Sequence, residues 1–262
     1  MKSLKSWIVR EPNAVKYEIQ ETKTLDSEVW VLIPSELKPV FKKIISQSTT
    51  LENLLGEKNI TNGIQTSKNP LYIITPDKID NSFIYFEIKG KKWKIEKDIV
   101  RPYYKTPSSK KLKEKFNTYK FLSPNSFVIF PYKKVNGKVD VILEPELRKN
   151  FPLTHSYFKY YEKEIKTRDV SPPINNDDWF KFGRSQHLDS WVADEKIVVG
   201  VLSTGEKYPI DKRKTIVSSG GTAGYCIIAI PDNFDYSIYY IQAILNSKYL
   251  EWFSALYGEV FR

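Results

Sequence analysis

Apolar residues recur along the chain with two different periods. Near the start, Val15, Tyr17 and Ile19, then Val29, Val31 and Ile33, fall on every second position, the spacing of half-buried strands. After Pro34 the period changes. Leu37, Val40, Phe41, Ile44 and Ile45 form a helical stripe, with Ser35 as its expected N-cap. Apolar runs of strand length follow at 71–74, 83–88, 127–130, 139–143, 197–202 and 225–230. Asp80-Asn81-Ser82 supplies turn chemistry, and Asn136-Gly137 is a two-residue hairpin signal. Helical spacing returns over 144–150 and 154–167, where Tyr157, Phe158, Tyr161 and Ile165 share a face. It returns again over 236–245 and 248–257, with Ile238, Ile241, Ile244 and Leu245 on one side. The pattern predicts an α+β fold in two lobes, with mixed small sheets and a helical C-terminal end. Residues 1–50 read as a leading segment with one helix, 51–170 as the first lobe and 171–262 as the second. The break between lobes falls at Ser171-Pro172-Pro173 and runs to Asp178, a linker-like stretch.

Composition narrows the class. With 41% hydrophobic and 27% charged residues, the 262-residue chain has the make-up of a globular protein. One cysteine, Cys226, excludes an internal disulfide and any multi-cysteine zinc site, and fits a reducing cytoplasm. Two histidines, His155 and His187, argue against histidine-rich metal chemistry. No apolar run reaches the roughly 18 residues of a membrane helix, and the N-terminus lacks a signal-type core. A soluble cytoplasmic protein, with no membrane partner, is expected. Met1 is the only methionine, and Arg262 directly follows an aromatic-rich helix; both suit a piece of something larger.

The charge is where function enters. The formal net charge is +10, which points to a polyanionic partner. Residues 86–120 hold twelve lysines and arginines against four acids, or +8 of that total, interleaved with Trp93, Tyr103, Tyr104, Phe116 and Tyr119. Cations neutralise phosphates and release counterions, and aromatics pack on sugars and bases. Arg101, Lys105, Lys110, Lys111 and Lys196 are the expected phosphate contacts. Arg184 and Gln186, two residues apart after an aromatic cluster of Trp179, Phe180 and Phe182, are the expected base readers. Arg matches guanine and Gln matches adenine in bidentate geometry. Gln65 and Thr66, in Gly63-Ile64-Gln65-Thr66, are weaker candidates, since Thr and Gln beside Gly are also ordinary turn residues.

Catalytic spellings are sparse. Pro76-Asp77 followed by Glu87-Ile88-Lys89 matches the pattern of metal-dependent nucleases. On a strand, Glu87 and Lys89 would share a face. The same Glu-x-Lys spacing recurs at Glu21–Lys23, Glu36–Lys38 and Glu164–Lys166, so the signal is cheap. No nucleotide-binding glycine loop is spelled out. Ser171-Pro172-Pro173-Ile174 has the prolines of an adenine-methyltransferase tetrapeptide but neither flank. The residues leave three readings open: a duplex-DNA recognition module without catalysis, a metal-dependent nuclease using Asp77, Glu87 and Lys89, and an interaction subunit for protein or RNA.

The chain resembles the TaqI-like C-terminal specificity domain of restriction–modification enzymes. The resemblance rests on Gly183-Arg184-Ser185-Gln186 after aromatics, the Lys196-Ile197-Val198-Val199 strand, and Gly220-Gly221-Thr222 before Tyr225. Further support comes from Tyr239-Tyr240-Ile241-Gln242-Ala243-Ile244-Leu245-Asn246-Ser247-Lys248 followed by Trp252. Upstream, Gly63-Ile64-Gln65-Thr66, Ile129-Phe130-Pro131-Tyr132 and the helix closing at Arg168 also fit, so the likeness runs from about Leu51 onward. Glu195 departs from the pattern, which often has Pro there, and the lysine-rich segment from Lys89 to Lys120 does not align. The resemblance implies a target-recognition domain that clamps double-stranded DNA. It also implies an adenine-N6 methyltransferase domain upstream in the same polypeptide, holding S-adenosylmethionine, and often a magnesium-dependent nuclease domain. No cofactor is expected in this chain itself.

Overall fold

The computed structural model describes residues 37–105, 121–184, 188–200, 208–219, 224–231 and 233–258. Among these residues the helices are α1 (Lys38–Gln47), α2 (Leu51–Leu55), α3 (Asn69–Tyr72), α4 (Glu144–Asn150), α5 (Pro152–Tyr160), α6 (Glu162–Lys166), α7 (Leu188–Trp191), α8 (Ile238–Leu245) and α9 (Lys248–Gly258). The strands are β1 (Ile60–Asn62), β2 (Ile73–Ile74), β3 (Lys78–Ile79), β4 (Phe83–Ile88), β5 (Lys91–Glu96), β6 (Val100–Tyr104) and β7 (Ser126–Ile129), then β8 (Tyr132–Val135), β9 (Lys138–Val141), β10 (Lys196–Gly200), β11 (Ile210–Asp211), β12 (Ile216–Val217) and β13 (Tyr225–Ala229). The fold is α+β, as the apolar periods predict. The expected strands before residue 34 and the Ser35 cap lie outside the described residues.

The chain forms two compact units, one of Met1–Leu54 with Ile244–Arg262 and one of Leu55–Ala243. In the first, α1 keeps Pro39 in its opening turn, where the missing N–H costs nothing. Its Ile44 is buried, and Phe41 stacks on Phe253 of α9 at 5.3 Å and 14°.

The second unit carries the sheets. One is antiparallel in the order β1-β13-β10-β11. Another runs β12-β6-β7-β2, with β12 and β6 parallel. A three-stranded meander, β3-β4-β5, and the β8-β9 hairpin complete the set. The boundary expected near residue 170 falls inside this unit. Its two larger sheets each join strands from both sides of that position: β1 pairs with β13, and β6 with β12. Asn136 and Gly137 turn the β8-β9 hairpin at φ 49° and 82°, the type I′ geometry that the Asn-Gly spelling predicts. A second hairpin turns at Lys89 and Gly90, also with positive φ, between β4 and β5. The run at 71–74 is not one strand. Pro70 starts a short helical turn, and the strand is only Ile73–Ile74.

The core is aromatic, and several of its polar tips are satisfied, although the buried Trp93 indole N–H finds no partner among the described residues. Trp179, Phe180 and Phe182 are fully buried, and Phe180 stacks on Phe158 of α5 at 5.4 Å and 6°. Tyr72 donates its hydroxyl to the Phe180 carbonyl at 2.8 Å, and Tyr157 donates to Leu71 O at 2.7 Å. Trp179 donates its indole N–H to Glu144 at 2.8 Å. The stretch 171–178 is therefore pinned, not a free linker. The buried pair Lys181–Asp178, at 2.8 Å, closes its turn, and Lys181 also donates to Pro173 O. Glu96, ending β5, caps α5 by accepting the backbone N–H of Leu153 and Thr154 at 2.8 and 2.9 Å.

Candidate nucleic-acid interface

Two glycines decide how closely the candidate loops approach. A Cβ on Gly63 would overlap the backbone of Ser218 and Ser219. A Cβ on Gly183 would overlap the Ser67 side chain and crowd the Asp169 carbonyl. Glycine at both positions lets four chain segments meet. Ile64 bridges to Ser218 in parallel, Gln65 to Arg184 antiparallel, and Ser171 to Arg184 in parallel. The backbone bonds are direct: Arg184 N–H to Gln65 O at 3.0 Å, Ile64 N–H to Val217 O at 2.9 Å, and Ser219 N–H to Ile64 O at 2.9 Å. Residues expected to read bases from distant parts of the sequence thus share one small ladder.

Arg168 fixes this junction from beneath. Its guanidinium donates to the carbonyls of Thr66 at 2.6 Å and Trp179 at 3.0 Å, to Lys181 O, and through Nε to Ile165 O at 2.8 Å. Its plane lies over the Tyr72 ring at 5.0 Å. Burial pulls its pKa down from the ordinary arginine value. One side chain therefore ties the end of α6 to the 63–66 loop and the aromatic segment. No spacing in the sequence marks that role; the only hint was an arginine just past a helix end.

At the surface, Gln65 is exposed and donates its amide to Ser219 Oγ at 3.0 Å. Arg184 is about a third exposed, at 35%, and pairs with Asp169 at 2.6 Å. Asp169 is 79% exposed, so the pair is worth about 0–1 kcal/mol and releases readily. Amide, guanidinium and serine hydroxyls make a rim of donors and acceptors around this point. Gln186 lies outside the described residues.

Other candidates stand elsewhere. Thr66 is buried at 1% exposure; its hydroxyl donates to Asn69 Oδ1 at 2.7 Å and accepts from Lys68 N–H. It shapes the loop and has no edge to offer a base. Lys196, expected on phosphate, is fully buried. It forms an ion pair with Asp211 at 2.9 Å, both side chains at 0% exposure, and donates to Trp191 O at 3.0 Å. Burial lowers its pKa, against the raising pull of Asp211. The pairing follows from register, since Lys196 stands opposite Asp211 across β10 and β11. Arg101 is half-buried on β6, donating to the Asp98 and Val100 carbonyls at 2.7 and 2.8 Å. Lys105 is exposed, with its backbone held by Asn125. Lys110 and Lys111 lie outside the described residues.

The described part of the basic segment is partly committed to its own surroundings. Lys89 pairs with Glu164 at 2.6 Å, Lys91 lies 3.6 Å over Tyr160, and Lys94 lies 3.8 Å over Phe83. These contacts also revise the nuclease spelling. β4 ends at Ile88, so Lys89 sits in a turn and not on the strand face with Glu87. Among the described residues no cluster of three or more His, Cys, Asp or Glu side chains is placed to hold a metal ion. Among them, too, no helix is long and apolar enough to cross a membrane.

An α+β unit with a polar, arginine-bearing junction is related in sequence to the restriction–modification enzymes. The chain is 45% identical over 265 residues to the type II restriction enzyme and methyltransferase RM.Eco57I of Escherichia coli. The match takes in 100% of this chain and 26% of that protein, so the chain spans about a quarter of its relative's length. No family model matches the chain.

Proposed function

We propose that this chain is a sequence-specific double-stranded DNA recognition domain of a restriction–modification enzyme, of the TaqI-like specificity type. The chemistry then belongs to neighbouring parts of a larger cytoplasmic protein. An adenine-N6 methyltransferase domain would hold S-adenosylmethionine, and a nuclease domain would use magnesium. The observation that carries the reading is the ladder joining Gln65 to Arg184. It presents an amide and a guanidinium at one exposed rim, the two groups best suited to reading purine edges in the major groove. Arg101, Lys105, Lys110 and Lys111, from the lysine-rich segment, supply phosphate contacts that set position without specifying sequence.

The test is selection of bound sites from a random duplex pool, followed by titration of the selected and a scrambled duplex. Arg184→Ala should cost about 1–3 kcal/mol on the selected site only. Equal loss on both duplexes would remove Arg184 from the reading set. A wild-type chain that enriches no sequence would sink the proposal.

A further inference from the structure

A large open cleft, about 980 Å³, lies within the Leu55–Ala243 unit, and of the expected DNA-contacting residues among those described only Arg101 lines it. Its cations come from separate elements. Lys58 sits on the turn Glu57–Asn59, Arg101 on β6, Lys133 and Lys134 on β8, and Lys214 just before β12. Two acids, Asp194 and Glu195, also line it, and each is already matched. Asp194 pairs with Lys214 at 2.7 Å, and Glu195 with Lys212 at 2.5 Å. Lys133 pairs with Glu146. That leaves Lys58 and Lys134, both exposed, with no ion-pair partner among the described residues. The Arg101 guanidinium donates to the Asp98 and Val100 carbonyls and makes no direct ion pair among the described residues, with the Asp98 carboxylate acting on it only through space.

The framework holding these cations is firm. Ser190 donates to the Lys58 carbonyl at 2.7 Å, fixing that turn to α7. Arg101 lies over the Phe130 ring at 5.9 Å. Tyr132, on the cleft wall, accepts the Phe182 N–H at 2.6 Å, two residues before Arg184. Half-exposed Tyr236 adds an apolar face, backed by Tyr240 stacked at 5.0 Å. Cations from several elements that form no direct ion pair, spread along an open wall with an aromatic beside them, suit a string of phosphates and sugars better than one small anion.

We infer that this cleft is the groove that holds the sugar–phosphate backbone of the bound duplex, through Lys58, Lys134 and Arg101. The inference rests on the DNA-recognition reading and assigns it a backbone site in which Lys58 and Lys134 come from outside the lysine-rich segment and Arg101 from within it. Tyr132 gives it a mechanical link to the reading rim, since backbone held in the cleft is registered against the segment that carries Arg184.

The experiment measures affinity for a random-sequence duplex between 50 and 200 mM salt. Each phosphate contact contributes a slope of about −0.9 in log K against log salt, so two contacts account for roughly a tenfold loss over that range. Lys58→Gln/Lys134→Gln should shrink the salt-induced loss by about tenfold and leave the preference for a selected site intact. Lys149→Gln/Lys163→Gln, which removes two exposed lysines outside the cleft, should change it far less. An unchanged slope in the cleft variant, or an equal change in the control, overturns the inference even if Arg184→Ala still abolishes site preference. A changed slope with no site preference in the wild type keeps the groove and removes the recognition reading.

Discussion

Breaking the Lys196–Asp211 pair is the sharpest test of how this unit is built. Lys196→Met leaves the Asp211 carboxylate inside the protein, still accepting from Thr215 N–H at 2.6 Å, Thr215 Oγ1 at 2.7 Å and Arg213 N–H at 3.1 Å. The charge stays hydrogen-bonded but has lost its counter-ion. Removing one member of a buried pair costs about 3–5 kcal/mol, and the surviving bonds place this variant at the low end, about 3 kcal/mol. Asp211→Leu is worse. It leaves the ammonium with only the Trp191 carbonyl and orphans the Thr215 donors, at about 1–3 kcal/mol for each buried group. The double variant should cost clearly less than the sum of the two, because no unpaired charge remains. Urea unfolding followed by tryptophan fluorescence reads these differences, provided the m-values agree. A Lys196→Met cost below about 1 kcal/mol, the range of exposed pairs, would put the ammonium in water and refute the reasoning. It would also restore Lys196 as a phosphate contact, and the salt slope for DNA would then fall by about one contact.

Two further outcomes follow from other parts of the unit. Partial burial pushes the Glu144 carboxyl up, but hydrogen bonds from His155, Trp179 and Lys159 together pull its pKa down to about 2. A depressed carboxylate stabilises the fold above its unfolded pKa, near 4.5, and that contribution is lost as pH falls towards 2. Glu144→Gln should therefore be less stable than wild type at neutral pH, and the gap should close across that window in acid titrations of melting temperature. Gly63→Ala forces a methyl into the Ser218–Ser219 backbone, an overpacking cost of about 1–3 kcal/mol. Thermal melts should show the loss, and the preference for a selected duplex over a scrambled one should drop with it; an unchanged preference would detach the 63–66 loop from base reading.

What the sequence disclosed depended on the range of the interaction. The helix at 144–150 and the Asn136-Gly137 hairpin are set by local spacing and turn chemistry, and both were legible. The β5 strand is hidden in the sequence, because its lysines mask the alternation of Trp93 and Ile95. Lys196 reads as the charged head of an apolar strand until Asp211 is placed opposite it. Thr66 could be known as a loop-former only once Asn69 and Arg168 were brought to it. Residue type and local context mark Gln65 and Arg184 as candidates, but not as neighbours. Their adjacency depends on close approaches at Gly63 and Gly183 that no local pattern encodes.

All four hydrogen bonds that Arg168 makes end on main-chain oxygens, at Ile165, Thr66, Trp179 and Lys181. Such a fixture is indifferent to which side chains those loops carry. Exchanges at the rim can accumulate while the scaffold below keeps its shape, so a new site preference could arise by point changes at Gln65 or Arg184 without rebuilding the domain.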